Sequence, residues 1–120
     1  MKRFDSLKSV FRSGKNIHVI TCTDILYCRA DGSYSHLYTI HGEQLLLTKN
    51  LKATSLEINH PFMLRISQSV LLNLFYVVRI LMEEKQVELL NGKRVAYTVQ
   101  HKILLDKISD LHRNTDSVNK

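Results

Sequence analysis

The chain has 120 residues, of which 44% are apolar and 23% are charged. This length fits one domain with one modest core, and the charged fraction is too ordinary for wholesale disorder. The 17 Lys and Arg residues outnumber the 11 Asp and Glu residues, giving a net charge of +6. That surplus favours a polyanionic partner, nucleic acid first and an anionic membrane second.

Residues 1–15 form a basic segment, in which five Lys and Arg residues face a single Asp. Phe4, Leu7 and Phe11 recur at helical spacing and predict a short amphipathic helix that ends at Ser13-Gly14. We interpret this segment as a docking or linker helix. An arm that contacts DNA phosphates or a membrane surface is the alternative.

From Asn16 onward, short apolar runs are separated by turn residues, which is typical of antiparallel strands. The predicted strands of the first half are Ile17–Thr21, Ile25–Ala30, Tyr34–Ile40 and Gln44–Thr48. Turns are predicted at Asp31-Gly32-Ser33 and at His41-Gly42-Glu43. Alternation along the third of these strands places Tyr34, His36, Tyr38 and Ile40 on one face, and Ser35, Leu37 and Thr39 on the other.

A short helix is predicted after the fourth strand. Asn50 is a favourable N-cap residue, Leu51, Ser55 and Ile58 follow at helical steps, and Pro61 ends the helix.

A polar island, Ser67-Gln68-Ser69, interrupts the apolar stretch that follows Pro61. Three consecutive polar residues there form either a hydrogen-bond network in the core or a surface loop that faces a partner. The residues alone favour neither. Val70–Phe75 is left unassigned, because run length does not separate helix from strand, and Asn73 is expected to satisfy buried backbone groups.

The second half again predicts strands, at Tyr76–Met82, Gln86–Leu90 and Lys93–Tyr97. Asn91-Gly92 predicts a type I′ hairpin turn, which needs positive φ at both positions. Leu104, Ile108 and Leu111 mark a C-terminal amphipathic helix, for which Thr98 is the expected cap. We find no internal repeat in the sequence.

The sequence offers little that resembles an active site, and we do not expect an enzyme. The six His residues stand in no metal-ligand frame, and phosphate-binding loops and nucleophile elbows are lacking. Cys22 and Cys28 are expected to be small apolar side chains in a reduced cytoplasm. For the same reason, no cofactor, metal or small-molecule substrate is expected. No membrane partner is expected either, because the start of the chain is charged and the longest apolar run is too short to span a bilayer.

Four stretches together resemble the LytTR DNA-binding domain, the output module of LytR/AlgR-type response regulators in two-component systems. They are the run from Asp24 to Leu37, the helix Leu51–Leu56, the run from Phe62 to Asn73, and the run from Val87 to Thr98. The resemblance implies a mainly β fold of about ten short strands in antiparallel sheets, with small helices and a C-terminal helix. It also implies duplex DNA binding through loops that enter successive major grooves, and regulation of bacterial transcription.

Matching positions to the family implies three base-facing segments. These are Ser33, Tyr34 and Ser35 after the second strand of the domain, the polar island Ser67, Gln68 and Ser69, and Gln100 with His101 at the start of the terminal helix. Phosphate or positioning contacts are expected from Lys52, Arg65, Lys93, Thr98 and Lys102. The expected organisation is a basic segment or short helix over 1–15, the LytTR-like domain over 16–112, and a flexible tail over 113–120.

This chain departs from the family at its reader positions, where Tyr34, Gln68 and Gln100 replace the frequent His or Arg. Glutamine suits the N6/N7 edge of adenine, so we expect a target that leans towards A·T or is read indirectly. Residues 1–15 leave no room for a receiver domain, so the chain is expected to be a stand-alone regulator or a fragment. A second copy on paired repeats is a further expected partner.

Two alternatives to DNA binding remain open at this point. One is a protein-interaction module that modulates another regulator by dimerisation, which the neutral reader residues allow. The other is a small basic RNA-binding β protein, although the sequence lacks an aromatic pair of the RRM type.

Overall fold

The structure is a computed structural model that describes the backbone of residues 8–119 and the side chains of residues 8–113. Within that backbone range it is mainly β, with ten strands, two α-helices and two short 3-10 helices. The strands are β1 (Lys8–Ser13), β2 (Asn16–Thr21), β3 (Ile25–Asp31), β4 (Tyr34–Thr39), β5 (Gln44–Leu47), β6 (Met63–Arg65), β7 (Val70–Asn73), β8 (Val77–Leu81), β9 (Gln86–Leu89) and β10 (Arg94–Ala96). The helices are α1 (Leu51–Ile58) and α2 (His101–Asn119), and the 3-10 helices are Cys22–Asp24 and Leu74–Tyr76.

A five-stranded antiparallel sheet, in the order β5-β4-β3-β7-β6, forms the middle layer. One of its faces packs on the three-stranded sheet β10-β9-β8 and on α2, around the buried side chains of Leu72, Val87 and Leu104. The other face packs on α1 and on the β1–β2 hairpin, around Phe11 and Leu37. The central strands are therefore covered on both sides.

The predicted N-terminal helix is wrong for the part of residues 1–15 that the structure describes. Lys8–Ser13 pair with β2 as an antiparallel strand, while Phe4 and Leu7 lie outside the described residues. Phe11 is buried between the exposed Val10 and Arg12, which is the two-residue period of a strand. The two-residue turn Gly14-Lys15, with a φ of 61° at Gly14, then reverses the chain.

The turn at Asn91-Gly92 is a hairpin turn, but the predicted type I′ geometry is wrong. Gly92 has a positive φ of 87°, whereas Asn91 does not. The Gly92 N–H donates to Leu89 O (2.8 Å), and the Leu89 N–H donates to Lys93 O (2.8 Å). The loop therefore has three residues and ends in a left-handed glycine, the other common hairpin connection.

The structure also contains an internal repeat that the sequence analysis did not find. Each copy runs from a 3-10 helix through three antiparallel strands into an α-helix, over residues 22–58 and 74–108. The two copies share their turn geometry: the Ile40 N–H donates to Asp24 O and the Leu90 N–H donates to Tyr76 O, both at 2.9 Å. Identical residues between 41–58 and 91–108 are only Gly42/Gly92, Thr48/Thr98, Lys52/Lys102 and Ile58/Ile108.

The structure also decides three predictions at element boundaries. Val70–Phe75 is the strand β7 followed by the start of a 3-10 helix. Thr98 does not cap α2, because the helix begins at His101 and the Thr98 N–H donates to Ile66 O (2.8 Å). Helix α2 continues to Asn119, so the backbone of 113–119, expected to be a tail, is helical.

Candidate nucleic-acid interface

The tip of the β3–β4 hairpin presents two of the three predicted contact residues of this segment. Asp31 pairs with Tyr34 across a two-residue turn in which Gly32 has a φ of 59°, a conformation that glycine adopts without strain. Ser33 is exposed, and Tyr34 is 48% exposed instead of packed in the core. Both side chains are therefore free to meet a partner at the tip.

Ser35 is a correction to the predicted site. Its side chain is completely buried, and its hydroxyl donates to Lys49 O at 2.8 Å. Alternation along β4 explains the position, because the side chains of Tyr34 and Ser35 leave the strand on opposite faces. Ser35 joins β4 to the start of α1 and does not reach the surface.

The polar island Ser67-Gln68-Ser69 is a surface loop held by Arg65. The Arg65 Nε donates to Ser67 O (3.3 Å) and its Nη2 donates to Gln68 O (2.9 Å). Inside the loop, the Ser69 N–H donates to Ser67 Oγ (3.1 Å). Gln68 and Ser69 are exposed, so the surface-loop reading holds. The Arg65 guanidinium is largely engaged by its own loop.

Backbone hydrogen bonds join the polar island to the other two predicted segments. On one side, the Ala30 N–H donates to Ser69 O (2.8 Å), close to the β3–β4 tip. On the other side, Ile66 O accepts from the N–H groups of Thr98 (2.8 Å) and Val99 (3.3 Å). We call the resulting surface, formed by 32–34, 67–69 and 98–102, the loop end of the molecule.

The start of α2 completes the loop end. Thr98, Gln100, His101 and Lys102 are all exposed. The Lys102 ammonium lies 3.4 Å from a carboxylate oxygen of Asp106, one helical turn later, a weak surface pair that leaves the cation accessible. An open cavity of about 570 Å³ separates this segment from the polar island; it is lined by Ser67, Gln68, Ser69, Val70, Ala96 and Thr98.

Of the remaining predicted cations, the structure places Lys52 beside the loop end and Lys93 away from it. Lys52 is exposed in the first turn of α1, which begins next to the Ser35–Lys49 hydrogen bond. Lys93 lies before β10, and its ammonium is 6.0 Å from the ring centroid of Tyr27. Four residues, 94–97, lie between Lys93 and Thr98, and five steps of extended backbone cover about 17 Å.

One cation that the sequence analysis did not single out lies next to the polar island. Arg29 is exposed on β3, pairs in register with Val70, and donates from Nη2 to the Tyr38 hydroxyl (2.9 Å). No sequence signal marks it, because only the pairing of β3 with β7 brings it beside Ser69.

The Cys28 thiol lies in the core and not at the loop end. Burial raises the pKa of the Cys28 thiol to about 12, so the sulfur stays protonated at neutral pH. Among the residues that the structure describes, no three His, Cys, Asp or Glu side chains are grouped to hold a metal ion. In the same range, neither helix is long and apolar enough to cross a membrane.

A rigid antiparallel scaffold that gathers three polar segments and several cations at one end defines a loop-presenting binding domain of the mainly β class. A family model described as the LytTr DNA-binding domain matches residues 15–110. The chain therefore belongs to the LytTR family of DNA-binding domains, whose members bind DNA and regulate transcription.

The solved structures support the same fold. The LytTr DNA-binding domain of a methyl-accepting/DNA response regulator from Bacillus cereus matches with a TM-score of 0.62 at 12% sequence identity. The match covers 73% of this chain and 83% of that chain. A search of curated protein sequences finds no significant match.

Proposed function

We propose that this domain binds duplex DNA sequence-specifically through the loop end and thereby regulates the transcription of nearby genes. The observation that carries the proposal is that backbone hydrogen bonds hold together three exposed polar segments that are distant in sequence. Ser33 and Tyr34, the polar island, and Gln100 with His101 all become neighbours through the backbone contacts of Ala30 and Ile66. Exposed polar side chains on rigid loops can reach base edges and phosphates.

The size of the molecule is compatible with contacts in two successive major grooves. Its principal extents are 41 × 39 × 23 Å. Successive major grooves on one face of B-DNA lie roughly 34 Å apart. The β3–β4 tip and the start of α2 flank the polar island on opposite sides, so we assign them to different grooves.

In this proposal Gln68 and Gln100 read base edges, and the cations position the duplex. Both glutamines are exposed, and a side-chain amide can bond adenine N6 and N7 together. Lys52, Arg29 and Lys102 neutralise phosphates without reading sequence. A second copy of the domain, bound to a neighbouring repeat of the DNA target sequence, would double the number of these contacts.

The experiment is selection of bound duplexes from a random library, followed by gel-shift titration at several salt concentrations. We expect an A·T-leaning consensus, and affinity that falls steeply with salt. Gln68→Ala and Gln100→Ala should each weaken the selected site by about 1–3 kcal/mol and relax one position of it. Gln44→Ala is the matched control, because this exposed glutamine pairs with Tyr38 near the Gly42 turn and not at the loop end.

Three results would contradict the proposal. Essential G·C pairs opposite the glutamines would contradict the A·T assignment. Preference for single-stranded RNA over duplex DNA would favour the small RNA-binding protein. Failure to bind nucleic acid, with retained binding to another regulator, would favour the protein-interaction module.

A further inference from the structure

The β1–β2 hairpin packs on the same face of the five-stranded sheet as α1, with its tip near the loop end. At its base, the Ser9 hydroxyl is 3.3 Å from the Cys22 sulfur, just before β3 begins. Its inner side chains, Phe11 and Ile20, are buried against the five-stranded sheet. Near the tip, Arg12 and Ile17 share a cavity of about 290 Å³ with Leu47, Thr48 and Lys49; Val10 and Phe11 complete its lining.

The tip is level with the β3–β4 tip. Lys49 O accepts from Ser35, the residue next to Tyr34, so the neighbours of Arg12 adjoin the loop end directly. The strands β2 and β4 also have the same length. From Thr21 to Asn16 and from Thr39 to Tyr34, each strand rises by five residue steps, or about 17 Å. The turn Gly14-Lys15 therefore projects in the same direction as the turn Gly32-Ser33.

The tip carries positive charge that no described side chain neutralises in an ion pair. Residues 8–23 contain Lys8, Arg12 and Lys15 but neither Asp nor Glu. Arg12 and Lys15 are exposed, and neither forms an ion pair within the side chains described, residues 8–113. Lys49, which lines the same cavity as Arg12, is already paired with Glu57.

We propose that the β1–β2 tip is a phosphate-binding arm that extends the DNA footprint outward, beyond the groove occupied by the β3–β4 tip. This inference rests on the proposed function, because the loop end fixes where the duplex lies. Arg12 and Lys15 contact the sugar–phosphate backbone and read no bases, since a short charged tip on the flank reaches phosphates first. The exposed apolar side chains beside them, Val10, Ile17 and Val19, lack the aromatic anchors of a membrane-binding surface.

The test compares Arg12→Ala/Lys15→Ala with the unmodified chain on the selected site and on unrelated duplexes. We expect roughly tenfold weaker binding to both, and a slope of log affinity against log salt that is smaller by about two. Hydroxyl-radical protection should disappear from one flank only. The charge-conserving Arg12→Lys/Lys15→Arg should bind like the unmodified chain, and so should Lys8→Ala, at the hairpin base.

The possible failures are distinguishable. If the unmodified chain binds specifically and the double variant keeps the same affinity, salt slope and footprint, the arm is overturned while the proposed function stands. If the double variant instead loses binding to vesicles of phosphatidylglycerol and phosphatidylethanolamine, with DNA binding unchanged, the tip is a membrane contact. Absence of specific DNA binding by the unmodified chain would overturn both proposals.

Discussion

Asn73 shows how a single polar side chain can connect distant parts of the core. It is completely buried, its Nδ2 donates to Ile25 O (2.8 Å), and its Oδ1 accepts from the Phe75 N–H (2.9 Å). The sequence analysis predicted that Asn73 satisfies buried backbone groups, and the structure confirms it. The bonds fix the start of β3 and the entry to the second repeat.

Asn73→Ala is therefore expected to destabilise the fold by about 2–4 kcal/mol, because it leaves the buried carbonyl of Ile25 and the partly buried N–H of Phe75 without their partner. Urea denaturation measures the change. Asn91→Ala, which removes an acceptor from the exposed Lys93 N–H, should cost far less. Similar losses from both variants would contradict this account of Asn73.

Arg65 is expected to act through loop geometry more than through charge. A lysine keeps the charge but cannot span the carbonyls of Ser67 and Gln68 with a planar fork. Arg65→Lys should therefore lose about 1–2 kcal/mol of specific DNA affinity, nearly as much as Arg65→Ala. Lys102→Arg is the charge-conserving control in the same interface. Full affinity in Arg65→Lys would mean that the guanidinium acts as a phosphate contact instead.

The two thiols are expected to be inert in the native protein. Cys22 and Cys28 are completely buried, and burial raises the pKa of Cys28 to about 12. An aromatic disulfide reagent at pH 8 should therefore label them only after denaturation. Because the unfolded thiol has a pKa of 9.0, unfolding releases this proton between pH 9 and 12, so the contribution of Cys28 to stability falls as pH rises through that window. Rapid labelling of the native protein at pH 8 would contradict the expected inertness of the two thiols.

At the scale of elements, the hairpin turns depend on glycines in left-handed backbone conformations. Gly32 and Gly42 have φ values of 59° and 88°, and nothing lies within 4 Å of a Cβ added to either. Gly32→Ala and Gly42→Ala should each cost about 1 kcal/mol of stability through backbone strain alone. Only Gly32→Ala should also weaken DNA binding, because the turn at Gly42 lies at the opposite end of β4 from the loop end. Equal DNA affinities of the Gly32→Ala and Gly42→Ala variants would mean that the β3–β4 tip is not part of the DNA interface.

Much of this element structure follows from the sequence, and the exceptions have physical causes. The seven predicted strands correspond to β2–β5 and β8–β10 to within one residue at each end, because period-two burial and turn residues are local signals. The strands β6 and β7 were not predicted. The predicted helix is wrong for Lys8–Ser13, because the helical spacing of Phe4, Leu7 and Phe11 is a weaker signal than pairing with β2 and burial of Phe11 beside β5. The internal repeat is not visible in the sequence, because its two copies share turn geometry and buried positions but few identical side chains.

The candidate site was only partly predictable for a related reason. Matching to the family located the three segments, but the burial of Ser35 depends on which face of β4 meets α1. Likewise, nothing local indicates that Arg65 bonds its own loop, that Lys93 lies over Tyr27, or that Arg29 adjoins Ser69. These outcomes depend on pairing between distant strands.

At the scale of the whole molecule, the middle sheet is the stability centre. The Ile25–Cys28 segment of β3 has four consecutive buried residues, since the two core layers cover both of its faces. We expect the slowest amide exchange at Tyr27, Cys28, Leu71 and Leu72, and faster exchange in the outer β1–β2 hairpin. Exchange measured by NMR checks this order. Equal protection in the hairpin would contradict the layered view.

The backbone bonds from Ala30 to Ser69 and from Thr98 to Ile66 bear on recognition kinetics. Segments already locked to one another lose little conformational freedom when a ligand arrives, so the encounter is limited by diffusion and charge steering. A wrong operator then meets a surface that cannot rearrange to suit it. Discrimination among operators should accordingly reside in the lifetime of the complex and hardly at all in the rate at which it forms.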